Sequence, residues 1–112
     1  MSQCLFCRII KKEIPAKIEF EDDEMIAIQD INPQAPVHLL IIPKKHIEGI
    51  GSLEKSDTLL IGHVIFSARQ IAQKKGWGDY RLVFNQGAQA VQSVFHIHLH
   101  LLSGRRLTWP PG

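Results

Sequence analysis

The stretch Val94-Phe95-His96-Ile97-His98-Leu99-His100-Leu101-Leu102 alternates three histidines with apolar residues. Successive side chains of a β-strand point to opposite faces, so the spacing predicts one face carrying His96, His98 and His100, about 7 Å apart. The apolar residues between them, from Phe95 to Leu101, are predicted to anchor the strand in a core. Imidazole is suited to proton transfer, nucleophilic attack and metal binding near neutral pH. The pattern therefore indicates a reaction centre, with metal chelation by the same row as the alternative.

Length and composition describe one small globular domain. The chain has 112 residues, of which 45% are apolar and 21% charged, and a formal net charge of +2. Its lysines and arginines are scattered in pairs, which argues against nucleic acid or an anionic membrane as a partner. No apolar run is long enough to cross a bilayer and no signal-peptide core follows Met1, so a cytoplasmic location is expected. Cys4 and Cys7 are too close in sequence for a disulfide between them to stabilise the fold, and a cytosolic disulfide would be unusual.

Hydrophobic periodicity and turn residues predict the remaining elements. Residues 4–12 form a short helical candidate, and a continuous apolar run at 38–43 predicts a central strand. The hairpin is predicted from strands at 17–20 and 25–29 around an acidic turn. Two further strands are expected at 81–85 and 95–102, joined by the loop 86–93. The tail 108–112 cannot continue a helix or a central strand, because proline lacks the backbone donor.

The clearest helix runs from about Asp57 to Lys75. Ser56 is predicted to cap its start and Gly76 to mark its end. Its buried face is predicted to carry Ile61, Val64, Ile65, Ala68, Ile71 and Ala72. About five strands, one long helix and one short helix, with mostly hairpin-like connections, predict an α+β domain on an antiparallel sheet.

The heptapeptide His96-Ile97-His98-Leu99-His100-Leu101-Leu102 resembles the His-φ-His-φ-His-φ-φ signature (φ, hydrophobic) of the histidine triad (HIT) superfamily, and the resemblance extends from Phe6 to Gly112. Five segments are similar to its Hint branch: Glu13-Ile14-Pro15-Ala16, Asp30-Ile31-Asn32-Pro33-Gln34-Ala35-Pro36, Ile42-Pro43-Lys44-Lys45-His46, Gln92-Ser93-Val94 and Trp109-Pro110-Pro111-Gly112. The resemblance implies a single HIT domain over residues 1–112. It also implies a homodimer in which two five-stranded sheets join into one of ten strands.

Members of the Hint branch are purine nucleoside phosphoramidases. The resemblance thus implies hydrolysis of the P–N bond of adenosine or guanosine 5′-phosphoramidates to AMP or GMP and an amine, with no cofactor required for the chemistry. A nucleotide-binding interaction protein with incidental hydrolysis is one alternative. A dinucleoside polyphosphate hydrolase is another, less favoured because of the Trp-Pro-Pro-Gly terminus.

The resemblance also implies roles for the polar residues. His98 is expected to be the nucleophile, attacking the α-phosphorus to form a nucleotidyl-histidine that water then hydrolyses. His100 and His38 are expected to hydrogen-bond phosphate oxygens, and His96 to support the triad. Ser93 would donate to the leaving nitrogen or a phosphate oxygen.

Nucleotide contacts are expected from three groups of residues. Asp30 would accept from the ribose hydroxyls, with an Asx-type turn as the alternative. Asn85 and Gln92 would lie near the phosphate with Ser93, and as isolated residues Asn85 and Ser93 would more often be turn formers. The apolar slot for the base is expected from Leu5, Phe6, Ile9 and Ile31, which otherwise read as core. Two positions depart from the family: Ile28 replaces an aromatic residue, and Val91 replaces a glycine.

The resemblance further implies a structural zinc held by Cys4, Cys7, His46 and His96, since thiolates and imidazoles suit tetrahedral zinc. The alternative is that the cysteines are small core residues of the helix. His63 on the long helix is predicted at the surface or an interface. The C-terminal tail, residues 103–112, is expected to dock near the partner subunit's active site and to shape selectivity for the amine, with a disordered terminus as the alternative.

Overall fold

A computed structural model describes residues 3–112. Within that range the α-helices and β-strands follow the chain in this order: α1 (Leu5–Ile10), β1 (Ile18–Glu21), β2 (Met25–Gln29), β3 (Val37–Pro43), α2 (Thr58–Lys75), β4 (Tyr80–Val83) and β5 (Leu99–Ser103). The order confirms the predicted α+β fold. No helix within the described range is long and apolar enough to cross a membrane.

The five strands form one antiparallel sheet in the order β1-β2-β3-β5-β4, with β3 in the centre as predicted. The register pairs His38 of β3 with Leu102 of β5, and Leu102 in turn with Arg81 of β4. Two residues further along, Leu40, His100 and Val83 are paired in the same way. Directly opposed residues point to the same face. His38, His100 and Arg81 therefore share one face of the sheet.

Each face of the sheet has its own apolar core. On one face, Leu39, Ile41, Leu99 and Leu101 pack with Met25, Ala27 and the buried side of α2. On the other face, Ile26, Ile28, Leu40 and Ile42 pack with Phe6 and Ile9 of α1. Strand β2 is buried over four consecutive residues because both of its faces are covered. The histidines lie on the α1 face, so α2 forms the back of the domain.

The buried stripe of α2 contains four of the six predicted residues, and Ile61 is only partly buried. Ser67 is buried in line with Val64, Ala68, Ile71 and Ala72. Ile65 is 43% exposed, because it lies about 100° around the helix from Val64. The expected burial of Ile65 was therefore wrong.

The sequence prediction was wrong for the start of α2 and correct for its end. The prediction that Ser56 caps the start was wrong: a 3₁₀ turn, Lys55–Asp57, precedes the helix, and Asp57 Oδ2 accepts from the Glu54 amide at 3.0 Å. The other Asp57 oxygen lies 2.6 Å from Lys45 Nζ. At the C-terminal end Gly76 adopts φ 78° as predicted, a left-handed conformation that glycine adopts without a steric penalty.

The histidine motif is only partly a strand. β5 begins at Leu99, so His96 and His98 precede it, and the predicted start at residue 95 was wrong. The amide of Ile97 donates to Ile47 O at 2.6 Å instead of joining the ladder with β3. Ile97, Leu99 and Leu101 are buried as predicted, but Phe95 is 52% exposed, so its expected place in the core was wrong. The bend before β5 turns consecutive histidines toward different surroundings.

Candidate active site

Two cavities meet beside β5. The smaller, about 280 Å³, is lined by apolar residues of α1 and β2 together with His98 and His100. The larger, about 590 Å³, is lined by His38, Asn85 and residues of the C-terminal tail. Asp30, Ser93 and His100 line both. A ligand that occupied both cavities would lie beside the histidines at this shared boundary.

His98 presents Nε2 without a proton. Its Nδ1 lies 2.8 Å from the backbone oxygen of His96. A carbonyl oxygen only accepts, so we assign the proton to Nδ1, and the lone pair of the neutral ring lies on Nε2. The Phe6 ring packs edge-on against His98 at a centroid distance of 4.9 Å. Burial lowers the pKa of His98, which favours the neutral, nucleophilic ring.

His38 and His100 form a directed hydrogen-bond chain. The amide of Gln34 donates to His38 Nδ1 at 3.0 Å, so the proton of neutral His38 lies on Nε2. That Nε2 is 2.9 Å from His100 Nδ1 and donates to it. His100 then carries its own proton on Nε2. His100 therefore offers an N–H donor close to the lone pair of His98, because the centroids of the two rings are 5.0 Å apart.

Burial keeps these rings neutral at neutral pH. Burial, helped by the neighbouring His98 and His38, lowers the pKa of His100 to about 4. Burial also lowers the pKa of His38, opposed by the carboxylate of Asp30, whose Oδ2 lies 3.4 Å from His38 Nε2. The site thus has one unprotonated ring nitrogen and one N–H donor without needing an imidazolium.

His96 belongs to a second cluster, on the far side of Phe6. Its Nε2 lies 2.7 Å from Pro43 O and must donate, so the Nδ1 lone pair points the other way. That Nδ1 lies 3.4 Å from Cys4 Sγ, 3.5 Å from Cys7 Sγ and 3.0 Å from His46 Nδ1. Cys7 Sγ is also 3.4 Å from His46 Nδ1. His96 is fully buried, and burial lowers its pKa to about 4.

The cluster fits a tetrahedral zinc ion. The four ligand atoms of Cys4, Cys7, His46 and His96 lie within 4.8 Å of one another. Ligands at ordinary Zn–N and Zn–S bond lengths would be separated by roughly 3.3–3.8 Å, close to the distances found. The bond from His96 Nε2–H to a backbone carbonyl is the usual outer partner of a zinc-bound histidine. The residues present therefore suit the metal that the sequence predicts.

Asp30 and Ser93 lie at the edge of both cavities, and their expected contacts with a nucleotide stay predictions. Asp30 Oδ1 accepts from the Asn32 amide at 2.8 Å, so the Asx-type turn is present as well. Its other oxygen, the one near His38, remains the atom that could accept from ribose. Asn85 lines the larger cavity.

Gln92 does not offer its side chain to a ligand. The residue is buried, and its Nε2 donates to Glu48 O at 2.7 Å and to Val94 O at 3.2 Å. Its Oε1 accepts from the Gly87 amide at 2.9 Å. Both amide hydrogens are engaged inside the protein, so the expected phosphate donor instead holds the loop before Ser93 in place.

The predicted base-binding residues divide into two pairs. Phe6 and Ile9 are buried on α1 and form a wall of the smaller cavity. Leu5 and Ile31 lie at its mouth, 42% and 99% exposed. Ile28, where the family has an aromatic residue, lines the same cavity from β2. The slot is therefore aliphatic with a single aromatic ring, Phe6.

The C-terminal tail lies beside the larger cavity of its own chain. Thr108 and Pro111 line that cavity, and Arg81 Nη2 donates to Thr108 O at 2.9 Å. Trp109 is 81% exposed, with the Arg81 guanidinium 6.0 Å from its ring. The expected contact with a partner subunit stays a prediction.

The sequence analysis overlooked two arginines, Arg81 and Arg105, which line the larger cavity. For Arg81 a signal was available. It lies two residues before Val83, which pairs with His100, so strand alternation places Arg81 on the histidine face. Arg105 follows the glycine turn after β5, where no periodicity applies.

Sequence comparison connects this geometry with known proteins. A family model described as "Scavenger mRNA decapping enzyme C-term binding" matches residues 3–107. An uncharacterized HIT-like protein of Synechocystis is 50% identical over 109 residues, 96% of each chain. The chain belongs to the histidine triad (HIT) family. A 14 kDa zinc-binding protein of Zea mays is 46% identical to this HIT protein, over 99% of the chain and 89% of the relative.

Solved structures agree with the HIT fold. A HIT family hydrolase from Legionella pneumophila is 52% identical, with a TM-score of 0.95 over 98% of this chain and 100% of that one. A HIT family hydrolase from Clostridium thermocellum is 44% identical, with a TM-score of 0.92 over 96% of each. The HIT family and the five-stranded α+β fold that the sequence predicted are confirmed, and the neighbours of this HIT protein support a hydrolase.

Proposed function

We propose that this HIT protein is a purine nucleoside phosphoramidase that hydrolyses the P–N bond of adenosine or guanosine 5′-phosphoramidates. The observation that carries the proposal is the order of hydrogen bonds around the site. It leaves a lone pair on His98 Nε2 and a proton on His100 Nε2, at the boundary of an apolar cavity and a polar one. A nucleophile beside a donor is what displacement at phosphorus requires.

In the proposed mechanism the base enters the smaller cavity beside Phe6, and Asp30 accepts from the ribose. His98 Nε2 attacks the α-phosphorus, the P–N bond breaks, and the nucleotide is carried on His98. The leaving nitrogen takes a proton, for which the Ser93 hydroxyl is the adjacent donor. The His100 N–H stabilises the negative charge on a phosphoryl oxygen. Water then attacks phosphorus and returns one proton to the Ser93 oxygen as the P–His98 bond breaks, which releases the nucleoside monophosphate and restores both residues.

We further propose a cytoplasmic homodimer. β4 is an edge strand that pairs only with β5 among the described strands, so it can pair with a second copy. Apolar residues on the outer side of α2, Ile65 and Phe66, are 43% and 52% exposed. Joining two sheets at β4 would give ten strands. Light scattering should then report twice the chain mass.

The cluster of Cys4, Cys7, His46 and His96 is proposed to hold a structural zinc. The ion would fix α1 and the segment before β5 relative to each other. With His96 held in this way, its backbone carbonyl would in turn orient the His98 ring, because that carbonyl accepts a hydrogen bond from His98 Nδ1. The chain's own histidines would still perform the reaction.

Turnover of an adenosine 5′-phosphoramidate with a fluorogenic amine tests the proposal. We expect steady release of the amine by the wild type and none above background by His98→Ala. The matched control is His63→Gln, because His63 lies on α2 and contacts Asp22 outside the site. Tight nucleoside monophosphate binding with negligible turnover would overturn the proposal in favour of an interaction protein. Faster cleavage of dinucleoside polyphosphates would overturn the choice of the P–N bond.

A further inference from the structure

The larger cavity contains two positive charges without acidic partners. Arg81 and Arg105 both line it, and within residues 3–112 neither forms an ion pair. The carboxylate on the same cavity wall, Asp30, faces His38 at 3.4 Å instead. Two unpaired guanidinium groups beside a polar cavity are suited to an oxyanion ligand.

Backbone carbonyls hold both guanidinium groups in place. Arg81 Nη2 donates to Thr108 O at 2.9 Å, and Arg105 Nε donates to Gln34 O at 3.0 Å. Arg105 Nη1 donates in addition to Arg106 O at 3.0 Å. Each guanidinium has five N–H donors, so donors remain on both after these bonds. The charges are thus positioned before any ligand arrives.

The glycine turn after β5 explains why Arg105 lies here. Gly104 has φ 96°, and a Cβ at this position would lie 2.9 Å from Pro36 Cβ. Only glycine permits both the left-handed backbone and this close approach. The turn brings the start of the tail against the loop that carries Asp30 and Gln34.

The direction of displacement assigns the cavity to the leaving group. His98 lines the smaller cavity and not the larger, His38 lines the larger and not the smaller, and His100 and Ser93 lie on their boundary. Attacking and leaving groups lie on opposite sides of phosphorus in an in-line displacement. An amine expelled by His98 would therefore depart past Ser93 into the larger cavity.

We propose that Arg81 and Arg105 form a subsite for an anionic substituent on the leaving group. The inference rests on the proposed function and specifies its substrates: nucleoside phosphoramidates whose amine carries a carboxylate or a phosphate-like group. Arg81 lies two strands from His38, roughly 10 Å at ordinary strand spacing, so the substituent would be separated from the phosphoramidate nitrogen by a short linker.

Two matched substrates test the charge preference. Adenosine 5′-phosphoramidates of glycine and of glycinamide have similar size and differ by one negative charge. We expect the wild type to favour glycine in kcat/KM by about tenfold, the effect of one hydrogen bond to a charged group. The ratio should fall with added salt between roughly 0.1 and 1 M, because the charges are partly exposed.

Variants assign the preference to the two arginines. Arg105→Gln and Arg81→Gln should bring the ratio close to one, and Arg81→Lys should retain part of it. Arg106→Gln is the control, because Arg106 carries the same charge and shares a neighbouring cavity with Arg81 and Arg105 but does not line the larger cavity with the histidines. Loss of the ratio in Arg106→Gln alone, or an unchanged ratio in both of the other glutamine variants, would overturn the subsite.

A third substrate shows whether the subsite prefers a phosphate-like group or a carboxylate. If the aminomethylphosphonate conjugate depends on Arg81 and Arg105 more than the glycine conjugate does, the subsite takes a phosphate-like group; the reverse order assigns a carboxylate. Equal cleavage of glycine and glycinamide conjugates by the wild type, still abolished by His98→Ala, would refute the subsite and leave the phosphoramidase proposal standing. No cleavage of any conjugate would refute both.

Discussion

His96 and His98 are two residues apart in one motif, yet the fold leaves opposite ring nitrogens available to ligands. His96 donates from Nε2 to Pro43 O and turns Nδ1 toward two cysteines and His46. His98 donates from Nδ1 to His96 O and keeps Nε2 for the cavity. One carbonyl partner on each ring leaves Nδ1 of His96 to the proposed metal site and Nε2 of His98 to the proposed nucleophilic attack. The difference teaches that backbone acceptors, more than residue type, assign these roles.

The two regions also differ in how their backbones are held. The proposed zinc ligands come from α1 and its N-cap residue, from the loop after β3 and from the bend before β5, and none of the four has a positive φ. The reactive side includes a loop in which Val91 adopts φ 66°. Lys12, two residues after α1, also has a positive φ of 64°, so the two regions differ in residue type: only at Val91 does a β-branched side chain occupy the left-handed region, which disfavours it.

The largest expected effect is the loss of activity when His98 is replaced by glutamine, compared with the same replacement at His96. We expect His98→Gln to lower kcat/KM by at least about 10⁴-fold, since glutamine cannot serve as the nucleophile. His96→Gln should lose zinc and melt earlier, while its folded fraction stays within about 100-fold of wild-type activity. Steady-state kinetics and thermal melts on both proteins make the comparison. Equal losses of activity with no difference in melting would remove the division of roles.

Removing the metal should mainly affect stability. The wild type should contain about one zinc per chain. In a buffer whose free zinc concentration is about 100–1,000 times Kd, removal of the zinc by a chelator should lower the free energy of unfolding by about 3–4 kcal/mol. The Cys4→Ser/Cys7→Ser protein, without metal, should not respond to the chelator. Metal analysis and denaturant unfolding provide the readouts. A chelator-induced loss of kcat with no change in unfolding would assign the zinc to the chemistry instead.

The pH dependence of stability should report on the reactive side. The pKa of His100 is about 4 in the folded protein against 6.5 for a free histidine. The unfolded chain therefore binds this proton first, so stability falls as the pH drops from 6.5 toward 4. His100→Asn should reduce that slope by up to about 1.4 kcal/mol per pH unit. Denaturant unfolding across this range measures it, and identical slopes in both proteins would contradict the burial argument.

The smallest effect is expected in the strained loop. Val91 is 76% exposed, so its side chain contributes little burial, but its β-branched side chain disfavours φ 66°. We expect Val91→Gly to raise the free energy of unfolding by about 0.5–1 kcal/mol, the strain relieved less the entropy of the extra glycine. Ala90→Gly, in the preceding 3₁₀ turn, should lower it. A destabilised Val91→Gly protein would show that the valine side chain makes a needed contact.

Local pattern was sufficient for much of the fold. The apolar run of β3, the acidic turn of the hairpin and the glycine stop of α2 were all predicted correctly, because nearby residues determine each of them. The start of β5 was not, because the Ile97 amide pairs with Ile47, fifty residues earlier in the chain. The burial of Ile65 failed for a similar reason, since the packing of the sheet selects which side of α2 it covers.

The composition of the site was more predictable than its chemistry. The motif placed His98, His100 and Ser93 together, and Cys4, Cys7, His46 and His96 are brought into one cluster as expected. Which nitrogen each ring offers depends on Pro43 O, Gln34 N and His96 O, and side-chain pattern does not encode those partners. Gln92 was misassigned for the same reason, because its amide nitrogen donates to two backbone carbonyls, those of Glu48 and Val94.

Long-range ¹H–¹⁵N correlation spectra of the imidazole rings test the opposite tautomers most directly. At neutral pH we predict a proton on Nδ1 of His98 and on Nε2 of both His96 and His100, with single-histidine variants assigning the signals. A proton on Nε2 of His98 would contradict the account, because the atom proposed to attack phosphorus would then have no lone pair.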